Sequence, residues 1–195
     1  MAYINVINES DAEGRLAELF KRFGNPDGSV DNVLKVHSLN PESLEAHSAL
    51  YVQSMHKPSP LSRAEREILG TVVSRLNGCT YCQRHHSTGL RRLLPDDRKQ
   101  VADDVAAGTF SGLTDRERAL ADYATALTVD PATMTAQHVT ALKDAGLTDR
   151  EILDAAQAIA YFAYANRIVL GLGAALEEGA EIGQWPAEST PTGVH

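Results

Sequence analysis

The chain has 195 residues, is 43% hydrophobic and carries a net charge of −8, from 18 Lys and Arg against 26 Asp and Glu. This length and apolar content allow one buried core, and the low aromatic content of 6% favours packed helices over a β-sandwich. An acidic chain without a Lys/Arg cluster argues against nucleic acid as a partner.

A membrane or secreted protein is also not expected. The most apolar stretch, residues 155–176, is interrupted by Gln157, Asn166 and Arg167, and so does not read as a membrane span. The N-terminus lacks the charged and apolar regions of a secretory signal. We therefore expect a cytoplasmic protein in a reducing setting.

The sequence predicts an all-α fold, because helix-start and helix-stop signals follow one another along the chain and no segment alternates apolar and polar residues for long. Starts are predicted from capping residues at Ser10, Asn40, Ser62, Thr114, Thr135 and Thr148. The predicted helices cover about residues 11–22, 41–56, 63–77, 79–94, 96–107, 115–127, 136–145 and 149–178. We expect one domain over residues 1–184 and a loosely held tail over 185–195.

One tetrapeptide occurs twice, as Thr114–Glu117 and Thr148–Glu151. The simpler interpretation is that both are capping boxes. The alternative is an internal repeat, which would set Ala163 and Asn166 at the positions of the two cysteines and give the C-terminal unit a scaffold role.

The two cysteines of the chain, Cys79 and Cys82, are separated by two residues. A CxxC motif at a helix start either cycles between dithiol and disulfide or supplies half of a metal site. Structural zinc sites usually pair two ligand couples, whereas here only one couple stands beside His86. We therefore favour redox chemistry without a metal, with zinc as the alternative.

Helical spacing places Cys79, Cys82 and His86 on one face, with His86 one turn beyond Cys82. The helix N-terminus should stabilise a thiolate there. If the chain turns back after residue 78, Glu67 on the preceding helix can reach His86 and fix its tautomer. We expect His85 to project to the side.

The spacing of Glu67, Cys79, Cys82 and His86 resembles the E-x11-C-x2-C-x3-H signature of the alkylhydroperoxidase D-like family, within the carboxymuconolactone decarboxylase superfamily. Residues 161–167 also resemble the C-terminal helix of its uncharacterised peroxidase-related subgroup. The resemblance covers about residues 10–180. It implies an all-α helical bundle, peroxidase activity and homo-oligomers. Members that decarboxylate a lactone lack the cysteine pair, so that activity is not expected.

The resemblance also implies roles for the matching residues. Cys82 would attack the peroxide as a thiolate and become a sulfenic acid. Cys79 would donate a proton and then close the disulfide. Glu67 and His86 would relay protons.

Two features complicate this assignment. Tyr81 stands where some family members have a histidine, and a phenol is not a base near neutral pH, so the relay is shorter or uses His85. In thioredoxin-like motifs the first cysteine is the nucleophile, and the helix dipole favours Cys79. We choose Cys82 because His86 lies one turn away.

The expected function is a thiol-dependent peroxidase that reduces hydrogen peroxide or organic hydroperoxides. The sequence contains no flavin, haem or nucleotide motif, so we expect no cofactor and a partner dithiol as reductant. The alternatives are a thiol–disulfide oxidoreductase or redox sensor, and a non-catalytic helical oligomer whose CxxC is vestigial or holds zinc. The last predicted helix is apolar around most of its circumference, which indicates a homo-oligomer with a dimer as the minimal unit.

Overall fold

The computed structural model describes residues 2–177, and over this range the fold is all-α, without a strand, as predicted. The helices are α1 (Gly14–Phe23), α2 (Asn32–Lys35), α3 (Pro41–Met55), α4 (Arg63–Leu76), α5 (Thr80–Leu93), α6 (Gln100–Ala107), α7 (Asp115–Val129), α8 (Ala136–Asp144) and α9 (Asp149–Leu172). The predicted domain end at 184 and the tail at 185–195 lie outside the described residues. Within residues 2–177, no helix has both the length and the apolar character needed to cross a bilayer.

The repeated tetrapeptides form capping boxes at the starts of α7 and α9, in agreement with the simpler interpretation, and α4 begins in the same way. Arg116, in the first turn of α7, forms ion pairs with the first turns of α4 and α9. Its Nε lies 2.6 Å from Glu65 at the start of α4, and its Nη2 lies 2.7 Å from Glu151 at the start of α9. The N-termini of three core helices therefore meet at one end of the bundle.

The predicted start of the first helix is wrong. The Ser10 hydroxyl donates to the Asp11 carboxylate at 3.2 Å instead of capping a helix, and residues 9–11 form a 3-10 turn. Glu13, expected inside the helix, is extended and precedes α1, which begins at Gly14. The short helix α2 was not predicted.

The predicted end of the last helix is also wrong, since α9 ends at Leu172. Gly173 adopts a left-handed conformation with φ 68°, which ends a helix, and its N–H donates to the Val169 carbonyl. A side chain at Gly173 would collide with the Tyr3 ring, to which a Cβ would come as close as 2.6 Å. The N-terminal segment thus lies against the end of α9.

The core is built around α4, which packs against α5, α6, α7 and α9. Ile68, Leu69, Val72 and Val73 of α4 are all fully buried. A turn at residues 77–79, in which Gly78 has φ 69°, folds α5 back along α4. This helical hairpin places the first half of α4 beside the middle of α5. A smaller cluster around α1–α3 and another around the cysteines complete the interior.

Candidate active site

The two cysteines lie at the start of α5, where the turn from α4 ends. Cys79 is the N-cap residue, and its backbone N–H donates to the Ser74 carbonyl at 2.9 Å. The Cys82 backbone N–H donates to the Cys79 sulfur at 3.4 Å. Both thiols are free, their Sγ atoms lie 2.8 Å apart, and both residues are buried, with exposures of 0% and 5%. This geometry brings together two sulfurs that share one hydrogen bond.

The hydrogen bond between the sulfurs sets where a thiolate forms. The Cys82 thiol lowers the pKa of Cys79 despite burial, and the Cys82 N–H and the Asn166 amide act in the same direction. The same bond raises the pKa of Cys82, and burial and the charge on Cys79 raise it further. Of the two sulfurs, Cys79 is therefore the one that ionises more readily, as the helix-dipole argument indicated.

Glu67 and His86 meet across the α4–α5 hairpin, as the spacing predicted. The His86 Nδ1 lies 2.7 Å from the Glu67 carboxylate, and both side chains are buried. A carboxylate at Nδ1 accepts the proton of that nitrogen and leaves Nε2 as the basic one. Among residues 2–177, no hydrogen bond joins His86 to either sulfur.

Phe162 of α9 holds the His86 ring from the side. The two rings meet edge to face, with centroids 4.5 Å apart. Phe162 is also pressed against Gly70 of α4, where a Cβ would lie 2.5 Å from the ring. Gly70 therefore allows the close approach of α9 that positions the imidazole.

The auxiliary candidates Tyr81 and His85 belong to a second group of side chains, centred on Glu177. Tyr81 Oη donates to Glu177 at 2.7 Å, and His85 Nε2 lies 3.0 Å from its other oxygen. The Tyr81 and His85 rings stack at 4.4 Å, and the Asn32 N–H donates to Glu177 at 2.7 Å. Burial opposes ionisation of Glu177, but the bonds from His85, Asn32 and Tyr81 outweigh it and lower its pKa to about 2.

This group fastens the segment after α9 over the CxxC turn. Sequence reasoning missed Glu177, because it lies 96 residues from Tyr81 and in no motif. The sequence had excluded Tyr81 as a base, and in the structure its hydroxyl donates to the Glu177 carboxylate. Burial and that carboxylate raise its pKa well above its ordinary value.

Asn166 of α9 is fully buried beside the cysteine turn. Its Nδ2 donates to the Ser74 hydroxyl at 3.1 Å, and its Oδ1 accepts from Asn77 at 2.9 Å. It therefore ties α9 to the turn that positions Cys79. The repeat alignment had placed this asparagine opposite a cysteine, which is the one signal in the sequence that marked it.

An aromatic layer lies beyond His86. Tyr51 of α3 has its ring centroid 6.4 Å from that of His86 and 5.4 Å from that of Tyr161. The Tyr161 hydroxyl lies 3.5 Å from His47 Nε2. Burial, with a smaller effect of the neighbouring His37, lowers the pKa of His47 to about 3. This layer is therefore uncharged near neutral pH. In the described part of the chain, no three His, Cys, Asp or Glu side chains converge as metal ligands.

Comparison with known proteins identifies the fold and the family. Residues 41–94, which hold α3 to α5, match the model of the Carboxymuconolactone decarboxylase family. An uncharacterized peroxidase-related protein from Silicibacter sp. TM1040 is 30% identical, with a TM-score of 0.78 over 86% of this chain and 88% of that one. The alkylhydroperoxidase AhpD core protein from Ralstonia eutropha JMP134, also peroxidase-related, is 25% identical, with a TM-score of 0.82 over 91% and 93%.

The debrominase Bmp8 shares the fold at 20% identity, with a TM-score of 0.74 over 90% of this chain and 92% of that one. No curated protein matches the chain. The class of protein is defined by three features: an all-α bundle, a CxxC pair at a helix start, and a buried Glu–His pair. The chain belongs to the alkylhydroperoxidase D-like proteins of the carboxymuconolactone decarboxylase superfamily, in their uncharacterised peroxidase-related subgroup.

Proposed function

We propose that the protein is a thiol-dependent peroxidase that reduces hydrogen peroxide or organic hydroperoxides with the Cys79–Cys82 pair. The observation that carries this proposal is the pair itself: two free thiols, 2.8 Å apart, at a helix N-terminus. A thiolate is the form that attacks a peroxide, and a second thiol at this distance can close a disulfide.

In the proposed reaction, Cys82 is the sulfur that meets the peroxide, because it is the more exposed of the two. The reaction starts from the form in which one of the two thiols is ionised, and the shared proton passes to Cys79 so that Cys82 carries the charge. The Cys82 thiolate attacks one peroxide oxygen, the O–O bond breaks, and the alkoxide or hydroxide leaves with the proton that Cys79 holds. Cys82 is then a sulfenic acid.

The second half of the reaction forms the disulfide. The Cys79 thiolate left behind attacks the Cys82 sulfur, and the hydroxyl of the sulfenic acid takes a proton delivered by His86 and leaves as water. The two electrons given to the peroxide come from the two sulfurs. Glu67 holds His86 in one tautomer, and His86 moves the protons through Nε2. A partner dithiol reduces the disulfide again by thiol–disulfide exchange.

Peroxide consumption by the purified protein with a dithiol donor tests this function. The reduced wild type should consume hydrogen peroxide or cumene hydroperoxide catalytically, and Cys82→Ser should abolish turnover. Ser87→Ala, a change at a hydroxyl elsewhere on α5, is the matched control and should leave turnover unchanged. Equal, slow consumption by all three proteins would contradict the proposal.

A second candidate is a thiol–disulfide oxidoreductase, and the lowered pKa of Cys79 favours it. In such enzymes the first cysteine of a CxxC motif attacks a substrate disulfide. Reduction of a small protein disulfide with a dithiol donor measures this activity. If it exceeds peroxide turnover and depends on Cys79 more than on Cys82, this second function is the correct one.

We also propose that the protein is a homo-oligomer with a dimer as its minimal unit. The outward face of α9 exposes Leu153, Ala160 and Tyr164, which lie one above another at helical spacing. Apolar residues grouped in this way are typical of a subunit interface. Light scattering at micromolar concentration should give a mass above that of the 21.1 kDa chain, and a purely monomeric mass would contradict the proposal.

A further inference from the structure

A large groove is lined mainly by residues of α1 and α3 and of the loop after α1. Its volume is about 1060 Å³, at the upper end of the range found for small-molecule sites. Phe20, Phe23, Leu34 and Val52 supply its apolar wall. No residue given a role in the proposed reaction lines it, so the groove is a separate feature of the fold.

The charged side chains around the groove differ in whether they form ion pairs. Its two lining carboxylates both have cationic partners: Glu9 lies 2.7 Å from Lys35, and Glu45 lies 2.6 Å from Arg15 and 3.4 Å from Arg22.

The lysines that line the groove differ from its carboxylates in their ion pairing. Lys21 and Lys57 also line it, and neither is in an ion pair with any residue between 2 and 177. On a chain with a net charge of −8, two such ammonium groups beside an apolar wall are complementary to an anion that carries an apolar body.

The groove is connected to the proposed reaction centre through one aromatic side chain, Tyr51. Tyr51 and His56 line it, with their ring centroids 5.0 Å apart. The Tyr51 ring is also in edge contact with His86 and packs beside Tyr161. A ligand seated against Tyr51 is therefore one aromatic side chain away from the imidazole that Glu67 holds.

We infer that this groove binds a long-chain fatty-acid hydroperoxide, with its carboxylate at Lys21 and Lys57 and its hydrocarbon chain along Phe20, Phe23 and Val52. This inference rests on the proposed peroxidase function, whose substrate class it narrows. The groove then acts as a specificity site: it selects an amphipathic anion and delivers its middle section toward His86. Hydrogen peroxide needs no such site and reacts without it.

Equilibrium binding tests the groove without any turnover. Oleic acid, which carries no peroxide, should bind the reduced protein below its critical micelle concentration and displace the fluorescent anion anilinonaphthalene sulfonate. Val52→Trp should fill the groove and weaken oleic acid binding at least tenfold, whereas Gln137→Trp, an exposed site on α8, should not change it. Lys57→Gln should weaken binding of oleic acid about tenfold and leave that of the neutral oleyl alcohol unchanged, since one charge-assisted contact is lost.

Turnover then separates this inference from the peroxidase proposal. With Val52→Trp, kcat/KM for linoleic acid hydroperoxide should fall at least tenfold while kcat/KM for hydrogen peroxide stays at the wild-type value. If oleic acid does not bind, or both substrates respond equally to Val52→Trp, the groove inference is wrong even where peroxide turnover is normal. If oleic acid binds as expected but neither peroxide is consumed, the groove is a fatty-acid site and the peroxidase proposal fails. If Val52→Trp changes the mass in light scattering, the groove is an interface between copies of the chain, which also overturns the inference.

Discussion

Substitution of Glu177 by glutamine should make the buried thiols more reactive. The Glu177 carboxylate fastens the segment after α9 to Tyr81, His85 and the Asn32 N–H. Cys79 and Cys82, with exposures of 0% and 5%, are closed to a bulky reagent, and Ala174 and Leu176 of this segment lie in the same buried cluster. Glutamine keeps the shape of the side chain and removes its charge.

The expected size of the effect follows from the pKa of Glu177, which lies at about 2 instead of 4.5. A difference of about 2.5 in pKa corresponds to about 3 kcal/mol of preference for the charged form in the closed state. The side chain is 16% exposed, and glutamine still accepts hydrogen bonds, so we expect a loss of about 1–2 kcal/mol. Opening should therefore become about tenfold more frequent.

The assay is the rate of modification of the reduced protein by 4,4′-dithiodipyridine, which reacts across a wide pH range. Glu177→Gln should react about tenfold faster than wild type. Glu42→Gln, the same charge change at an exposed residue on α3, should react at the wild-type rate. Equal rates for the two variants would refute the idea that Glu177 closes the site.

A further check is the pH dependence of the ratio between the modification rates of Glu177→Gln and wild type. Because the pKa of Glu177 is lowered in the closed state, its stabilisation is fully present above about pH 4.5 and is lost as the pH falls toward 2. The ratio of the Glu177→Gln rate to the wild-type rate should therefore be constant from about pH 5 upward and shrink in more acidic solution. A ratio that instead grows below pH 4.5 would mean that another group closes the segment.

Three further predictions concern the reaction centre and its support. In Cys79→Ser, a sulfenic-acid probe should label Cys82 after one equivalent of peroxide; label on Cys79 in Cys82→Ser, with none on Cys82 in the reciprocal variant, would reverse the assigned roles. Glu67→Gln should keep the circular dichroism spectrum and lower kcat/KM for peroxide about 10- to 100-fold, because general acid–base support is lost; unchanged turnover would leave Glu67 a structural residue. Gly70→Ala should lower the free energy of unfolding by about 1–3 kcal/mol, as overpacking does, and urea unfolding with no change in midpoint would contradict the close α4–α9 contact.

The parts of the site that sequence reasoning predicted are those that short-range rules control. Glu67 and His86 are both on a hairpin whose turn is marked by Asn77-Gly78, so helical spacing alone places them side by side. The stop signal at Asn77-Gly78 likewise placed Cys79 at the start of the next helix.

The parts that were missed depend on contacts between residues far apart in sequence. Glu177 reaches Tyr81 only because Gly173 ends α9 early and turns the chain back over the cysteines. Gly173 is a stop signal, but the apolar residues 174–176 continue the helical pattern past it and obscured that stop. The pattern gave two answers for the reactive sulfur, Cys79 from the helix dipole and Cys82 from its spacing to His86, because the geometry of the shared hydrogen bond is not visible in the sequence.

A single-turnover experiment on the reduced protein tests the central claim most directly. One equivalent of hydrogen peroxide should convert the protein to a species lighter by two hydrogens, and peptide mapping should place a disulfide between Cys79 and Cys82. Addition of a dithiol should restore the original mass, and one peroxide should disappear for each disulfide formed. If the peroxide persists while both thiols remain free, the cysteine pair is not a peroxide-reducing centre and the account is contradicted.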